Sequence, residues 1–127
     1  MNLFHQIASG AKDLMLQQAL GAFLNARQIT EPETKTTVRL DAKQHLLFLH
    51  LHLKGEATPT DLTISYQITP ENEIELLGVE SAKPWITNAI SLLLAQGRIK
   101  FQPKEFTEGL PTALSHLSSE ALLALLK

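Results

Sequence analysis

The residues best placed for chemistry are His50 and His52, which flank Leu51 in the run HLLFLHLHLK from His45 to Lys54. Read with period two, Leu47, Leu49, Leu51 and Leu53 fall on one side and Leu46, Phe48, His50 and His52 on the other, the pattern of an antiparallel strand buried on one face. Alternate residues of a strand project the same way about 6.6 Å apart, and two imidazoles can converge from there on one Zn²⁺ at about 2.0 to 2.1 Å each. The third ligand depends on register. Thr36, Val38 and Leu40 alternate as a preceding strand, and Asp41 to Gln44 supplies the polar turn of a hairpin. Leu40 opposite His45 then puts Val38 opposite Leu47, Thr36 opposite Leu49, Lys35 opposite His50 and Glu33 opposite His52. Glu33 is thus the third candidate ligand of a metal-dependent enzyme. Lys35 beside His50 opposes a cation, and Glu73 and Glu75 lie beyond an intervening strand, roughly 10 Å away. The histidines are therefore read as polar residues of a solvated face, with no metal.

Other catalytic constellations are weaker. Glu73 and Glu75 share a strand face without a cleft, where carboxylates keep ordinary pKa values and do little acid–base work. Ser115 and His116 stand near Ser118 and Ser119, but neighbours along a helix do not face each other and no glycine-framed nucleophile elbow is present. With no cysteine there is neither a thiolate nucleophile nor a disulfide framework. No phosphate loop, dinucleotide fingerprint or zinc-protease motif occurs, so no cofactor is expected and a non-enzymatic role is favoured.

A net charge of −2 and the lack of any Lys/Arg cluster argue against a nucleic-acid partner, whose phosphates demand neutralisation. No window approaches a membrane-spanning length of apolar residues, and the N-terminal segment lacks the basic start and apolar run of a secretion signal. A cytoplasmic location is the expectation.

The elements that must position these residues follow from periodicity. Leu3, Phe4, Ile7, Ala8, Ala11, Leu14, Met15, Ala22 and Ala26 recur at helical spacing from Leu3 to about Arg27, with Asn2 as cap and Pro32 forbidding continuation. After the hairpin, Leu62, Ile64, Tyr66 and Ile68 alternate inward, Thr69-Pro70-Glu71-Asn72 makes a turn with Pro at its second position, and Ile74 and Leu76 continue a fourth strand. Beyond Gly78 the period becomes helical. Ser81 or Lys83 caps a helix with Pro84 in its first turn, Ile86, Ala89, Ile90 and Leu93 as its stripe and Gly97 at its end. Ile99 and Phe101 fit a short fifth strand, Pro103 to Pro111 a loop, and the chain from about Leu110 is helical with a fresh start at Ser118. One layer of helices on one face of one sheet satisfies all these apolar faces. The 127 residues are read as a single α+β domain: a four-stranded antiparallel meander, extended by that short strand, with one face covered by a long N-terminal helix and two or three C-terminal helices in a two-layer sandwich.

Leucine makes up about one residue in five, above ordinary usage. In the first helix Leu16, Leu20, Phe23 and Leu24 form a second stripe on the side opposite the first, beyond what anchoring to the sheet requires. That stripe is the candidate ligand- or partner-binding site. The excess suggests a binding module for a hydrophobic small molecule, acyl chain or lipid; the alternative is a homo-dimeric or partner-binding interaction protein using the same stripe. Leu122 to Leu126 matches the L-x-x-L-L pattern of some partner-binding helices, although core packing explains a leucine-dense helix equally well.

Overall fold

The computed structural model describes residues 3–107 and 118–127, with side chains from Asp13 onward. Helix α1 (Leu3–Ala26) leads into strands β1 (Thr37–Asp41), β2 (Leu46–Leu51), β3 (Thr60–Ile68) and β4 (Ile74–Ser81), followed by α2 (Pro84–Gln96), β5 (Ile99–Phe101), α3 (Lys104–Thr107) and α4 (Ser119–Leu126). The five strands form one antiparallel sheet in sequence order. With the N-terminal and C-terminal helices it makes a two-layer α+β fold. The helix expected over 110–117, with Ser115 and His116, lies outside the described residues, as do the side chains of Leu3, Phe4, Ile7, Ala8 and Ala11.

The alternation of β2 sets the inside. Leu47, Leu49 and Leu51 are buried, whereas His50 is exposed. The hairpin register differs from the expected one by two residues: Val38 lies opposite Leu49, Leu40 opposite Leu47 and Thr37 opposite His50. An even slip keeps every side chain on its face, so burial alone does not choose between the two registers. The turn chooses. His45 adopts the left-handed conformation, φ 54°, its N–H donates to Ala42 O, and Gln44 N–H donates to Asp41 Oδ1 at 3.2 Å, so the turn extends through His45 and pairing starts at Asp41–Leu46.

Between β3 and β4 the turn forms as its sequence dictates, with Asn72 N–H donating to Thr69 O and Asn72 at φ 62°. Strand β4 does not stop at Gly78 but runs to Ser81. Ser65 pairs with Gly78 and Tyr66 with Leu76, so Leu77 is an extra residue that bulges outward and reverses the alternation; Val79 becomes buried. Gly78 suits this crossing, since a Cβ there would stand 3.2 Å from Ser65 Oγ.

Helix α1 touches both outer strands. Asp13 Oδ1 accepts from Leu40 N–H at 2.9 Å and Gln17 Oε1 from Val38 N–H at 3.4 Å, taking up edge donors of β1 that no strand pairs. Gly21 lies beside Thr36, while Phe23 meets Phe101 of β5 edge-on with centroids 6.4 Å apart. The stretch from Asp13 to Phe23 spans about 15 Å of helix axis, so α1 lies obliquely across the sheet, whose outer strands stand roughly 19 Å apart at about 4.8 Å per spacing. Helix α4 packs on the same face: Leu122 and Leu126 are buried and the Leu126 carbonyl accepts from Tyr66 Oη at 2.6 Å. Ser118 caps α4, accepting from Ala121 N–H at 3.1 Å.

Two stability outcomes are expected from urea unfolding. Leu49→Ala should cost about 2 to 5 kcal/mol, whereas His50→Ala on the solvated face should stay within about 1 kcal/mol of the parent. Thr60 Oγ1 is buried without a hydrogen-bond partner. Thr60→Val, which keeps the shape and removes the orphan hydroxyl, should therefore raise stability by about 1 kcal/mol; a loss would mean the hydroxyl is satisfied in solution.

Candidate functional site

The corrected register changes what surrounds the histidines. His50 Nδ1 lies 2.7 Å from Oδ1 of Asp61, its partner across β2 and β3, and the His52 ring stands edge-on to the His50 ring with centroids 6.0 Å apart. Thr37, not Lys35, faces His50. Glu33 sits in the 31–34 turn at φ 64° and is not a strand residue opposite His52, whose carbonyl instead accepts from Glu31 N–H. The turn breaks the extended run that the expected pairing required. Among the described residues, no group of three His, Asp or Glu side chains is arranged to hold a metal ion. The pair that does form, His50 with Asp61, is legible only when the meander register is carried across to β3.

Glu75 of β4 and Glu73 just before it are less solvated than expected. Glu75 is 7 % exposed and receives both Arg98 Nη2 and Arg98 Nε, the latter at 2.9 Å, together with Gln67 Nε2 at 3.1 Å. These hydrogen bonds, the guanidinium first, hold its pKa down at about 2, and the same contacts raise that of Arg98. Glu73 accepts from Gln102 Nε2 at 3.0 Å and lies 3.9 Å from Lys100 Nζ. The cluster ties the short β5 to β4. It offers no open coordination or proton-transfer position, since its central carboxylate is already taken by the guanidinium.

The second stripe of α1 faces inward. Leu16 is buried in the core, Leu20 and Leu24 pack against it, and Phe23 lies between Phe101, Phe106 at 4.4 Å and the guanidinium of Arg27 at 3.7 Å. Leu14, expected to anchor the helix to the sheet, is 52 % exposed. Asp13 and Gln17 turn toward the β1 edge and carry the Leu16–Leu20 side onto the core. There Leu16, Ala19, Leu20, Leu47, Ile74, Phe106, Leu122 and Leu126 line an apolar cavity of about 40 Å³. That is room for little more than a water molecule, against the several hundred Å³ of a typical small-ligand pocket. The L-x-x-L-L leucines Leu122 and Leu126 are part of this core, and Leu125 packs against it.

The apolar surface that stays outside belongs to α2. This helix runs beside β4 beyond the end of β5. The Thr87 hydroxyl accepts from Ser81 N–H at 3.1 Å and donates to Ser81 O at 3.4 Å, closing strand edge that β5 leaves open. Ile86 is buried and Ile90 and Leu94 are partly buried, so the inward stripe is Ile86, Ile90 and Leu94. Ala89 and Leu93, expected in that stripe, point outward. At 100° per residue, Trp85, Ala89, Leu92 and Leu93 fall within an arc of about 100°. Trp85 is 57 %, Leu92 66 % and Leu93 51 % exposed, and Ala89 is exposed as well. Between Pro84 and Gln96 there is no charged residue. Trp85 is held in place by its indole N–H, which donates to Glu56 Oε1 at 3.2 Å, and Glu56 also pairs with Lys83 Nζ at 3.4 Å. The signal available in the sequence was the run Ile90-Ser91-Leu92-Leu93-Leu94, which carries more leucine than one face can bury.

Among the described residues, no helix is long and apolar enough to cross a membrane. Compared with known protein families, characterised proteins and solved structures, the chain has no match in any of the three.

The Glu75–Arg98 contact sets a pH dependence. The folded-state pKa of Glu75 lies below its ordinary value of 4.5, so its contribution to stability is complete above about pH 4.5 and is lost as the pH falls through about 2. Arg98→Ala should move the Glu75 titration upward and shift acid unfolding to higher pH. Carboxyl-detected NMR titration of both proteins measures this directly, and unchanged titration would show that the guanidinium is not the cause.

Proposed function

We propose that this chain is a non-enzymatic interaction module whose working surface is the outward face of α2. The observation that carries the reading is the exposure of Trp85, Leu92 and Leu93 on one face of a helix without charges. A contiguous apolar stripe of this kind marks a contact site far more often than scattered exposed leucines do. The tryptophan adds an anchor of the type that dominates interface energetics, and its indole is already oriented by Glu56. The stripe also sits on a rigid element, since Ile86 and the Thr87–Ser81 hydrogen bonds fasten the other side of the helix to the sheet.

Binding of an acyl chain or other hydrophobic small molecule is the second reading, favoured by the wholly apolar lining of the cavity between α1, α3, α4 and the sheet. It requires α4 to withdraw Leu122 and Leu126, because the volume present admits no chain.

A photo-crosslinking residue at Leu92, with another at Ser91 as the control, tests both in living cells. Ser91 is exposed on the same helix but points away from the stripe. Discrete protein adducts from position 92, absent from position 91 and abolished by Leu93→Glu, are expected. Absence of protein adducts from position 92 would overturn the contact reading. Uptake of a fluorescent fatty acid that falls on Leu20→Gln, with the fold retained, would put the cavity reading in its place.

A further inference from the structure

We infer that the partner seated on the α2 face is a second copy of this chain, in an antiparallel two-fold contact centred on Ala89; this rests on the assignment of α2 as the working surface. A two-fold interface brings one patch against itself, so whatever i meets at j must be met again by j at i. The α2 stripe has that property. Trp85, Ala89 and Leu93 are spaced four residues apart and form a large–small–large row symmetrical about Ala89. When two such rows cross at their alanines, each Trp85 comes over the other copy's Leu93, and the small side chains let the axes approach, as in packing between i±4 ridges. Leu92 lies beside the crossing and widens the contact. Because nothing between Pro84 and Gln96 is charged, the two copies meet without like charges opposed.

Area agrees with this occupant. The exposed portions of Trp85, Leu92 and Leu93 come to roughly 350 Å². A stable protein–protein contact covers about 800 Å² on each partner, a little over half of it apolar. The stripe thus provides most of the apolar centre, with the polar rim left to Asn88, Gln96 and the Glu56–Lys83 pair around Trp85.

The absence of cysteine from the chain allows single-cysteine variants to report the geometry directly. Sedimentation equilibrium of the full chain should give a dimer, and Leu92→Glu a folded monomer whose thermal unfolding matches that of the parent diluted until it dissociates, because that side chain is 66 % exposed in the isolated fold. Ala89→Cys should form an intermolecular disulfide on mild oxidation at least about ten-fold faster than Ser91→Cys, since only a residue near the axis meets its own copy within disulfide reach. Emission from Trp85 should move to shorter wavelength as the dimer forms. A monomer at every concentration overturns the second-copy inference, and protein adducts at position 92 would then leave the wider reading standing with a different partner. A dimer that survives Leu92→Glu, or one that oxidises as readily through Ser91→Cys, places the interface elsewhere and overturns it too.

Discussion

The structure depends on one helix reaching both edges of its sheet. Asp13 and Gln17 accept from the amides of β1 while Phe23, further along the same helix, packs on Phe101 of β5. That placement also relieves β1 of part of the usual hazard of an edge strand, because the Val38 and Leu40 donors are occupied by an amide and a carboxylate from the same molecule. The inner face of the sheet is covered by α1, α3 and α4. Helix α2 is left to run beside β4, with half of its apolar arc turned away from the core. The exposed stripe is in this sense a consequence of how α1 fills the interior.

The polar face of the sheet divides its charges by exposure. His50 and Asp61 are 2.7 Å apart, but both are largely solvated, and such a pair adds little to stability. Glu75 is different. Taken out of water on β4, it needs full compensation, which Arg98 supplies through two nitrogens and Gln67 through a third. A strand of three residues has too few backbone pairs to hold itself. Hydrogen bonds from Arg98 to Glu75 and from Gln102 to Glu73, with the Lys100 ammonium 3.9 Å from Glu73, hold β5 where Phe101 can meet Phe23. The outer-face electrostatics and the inner aromatic cluster therefore support each other through one short strand.

Period-two alternation made the sheet legible: Leu47, Leu49 and Leu51 on one side, Leu62, Ile64, Tyr66 and Ile68 beside them, and Ile99 and Phe101 as a further strand. Three things escaped it, each for a physical reason. An even register slip between β1 and β2 leaves burial unchanged, so the choice lay in the left-handed His45, which composition does not announce. The bulge at Leu77 reversed parity within Leu76-Leu77-Gly78-Val79 and made the end of β4 look like the start of a helix. In α1 and α2 alike, apolar residues cover more than one face, and a helical wheel cannot say which one meets the core. For α1 the decision came from Asp13 and Gln17, two polar residues whose partners are backbone amides of a distant strand. For α2 it came from Thr87, whose hydroxyl meets Ser81.

These two helices show how an apolar excess is assigned. Leu14 of α1 is as exposed as Leu93, but its neighbours in the turn are Asp13, Gln17 and Gln18, and a lone leucine among polar residues is ordinary protein surface. On α2 the exposed leucines adjoin each other and a tryptophan, and burial of all three together removes far more apolar area from water than burial of any one. Hydrophobic attraction grows with contiguous area rather than with residue count. The stripe that looked surplus in the sequence, on α1, is spent on the core. The stripe that looked sufficient, on α2, faces outward, and there Trp85, Leu92 and Leu93 stand exposed beside one another.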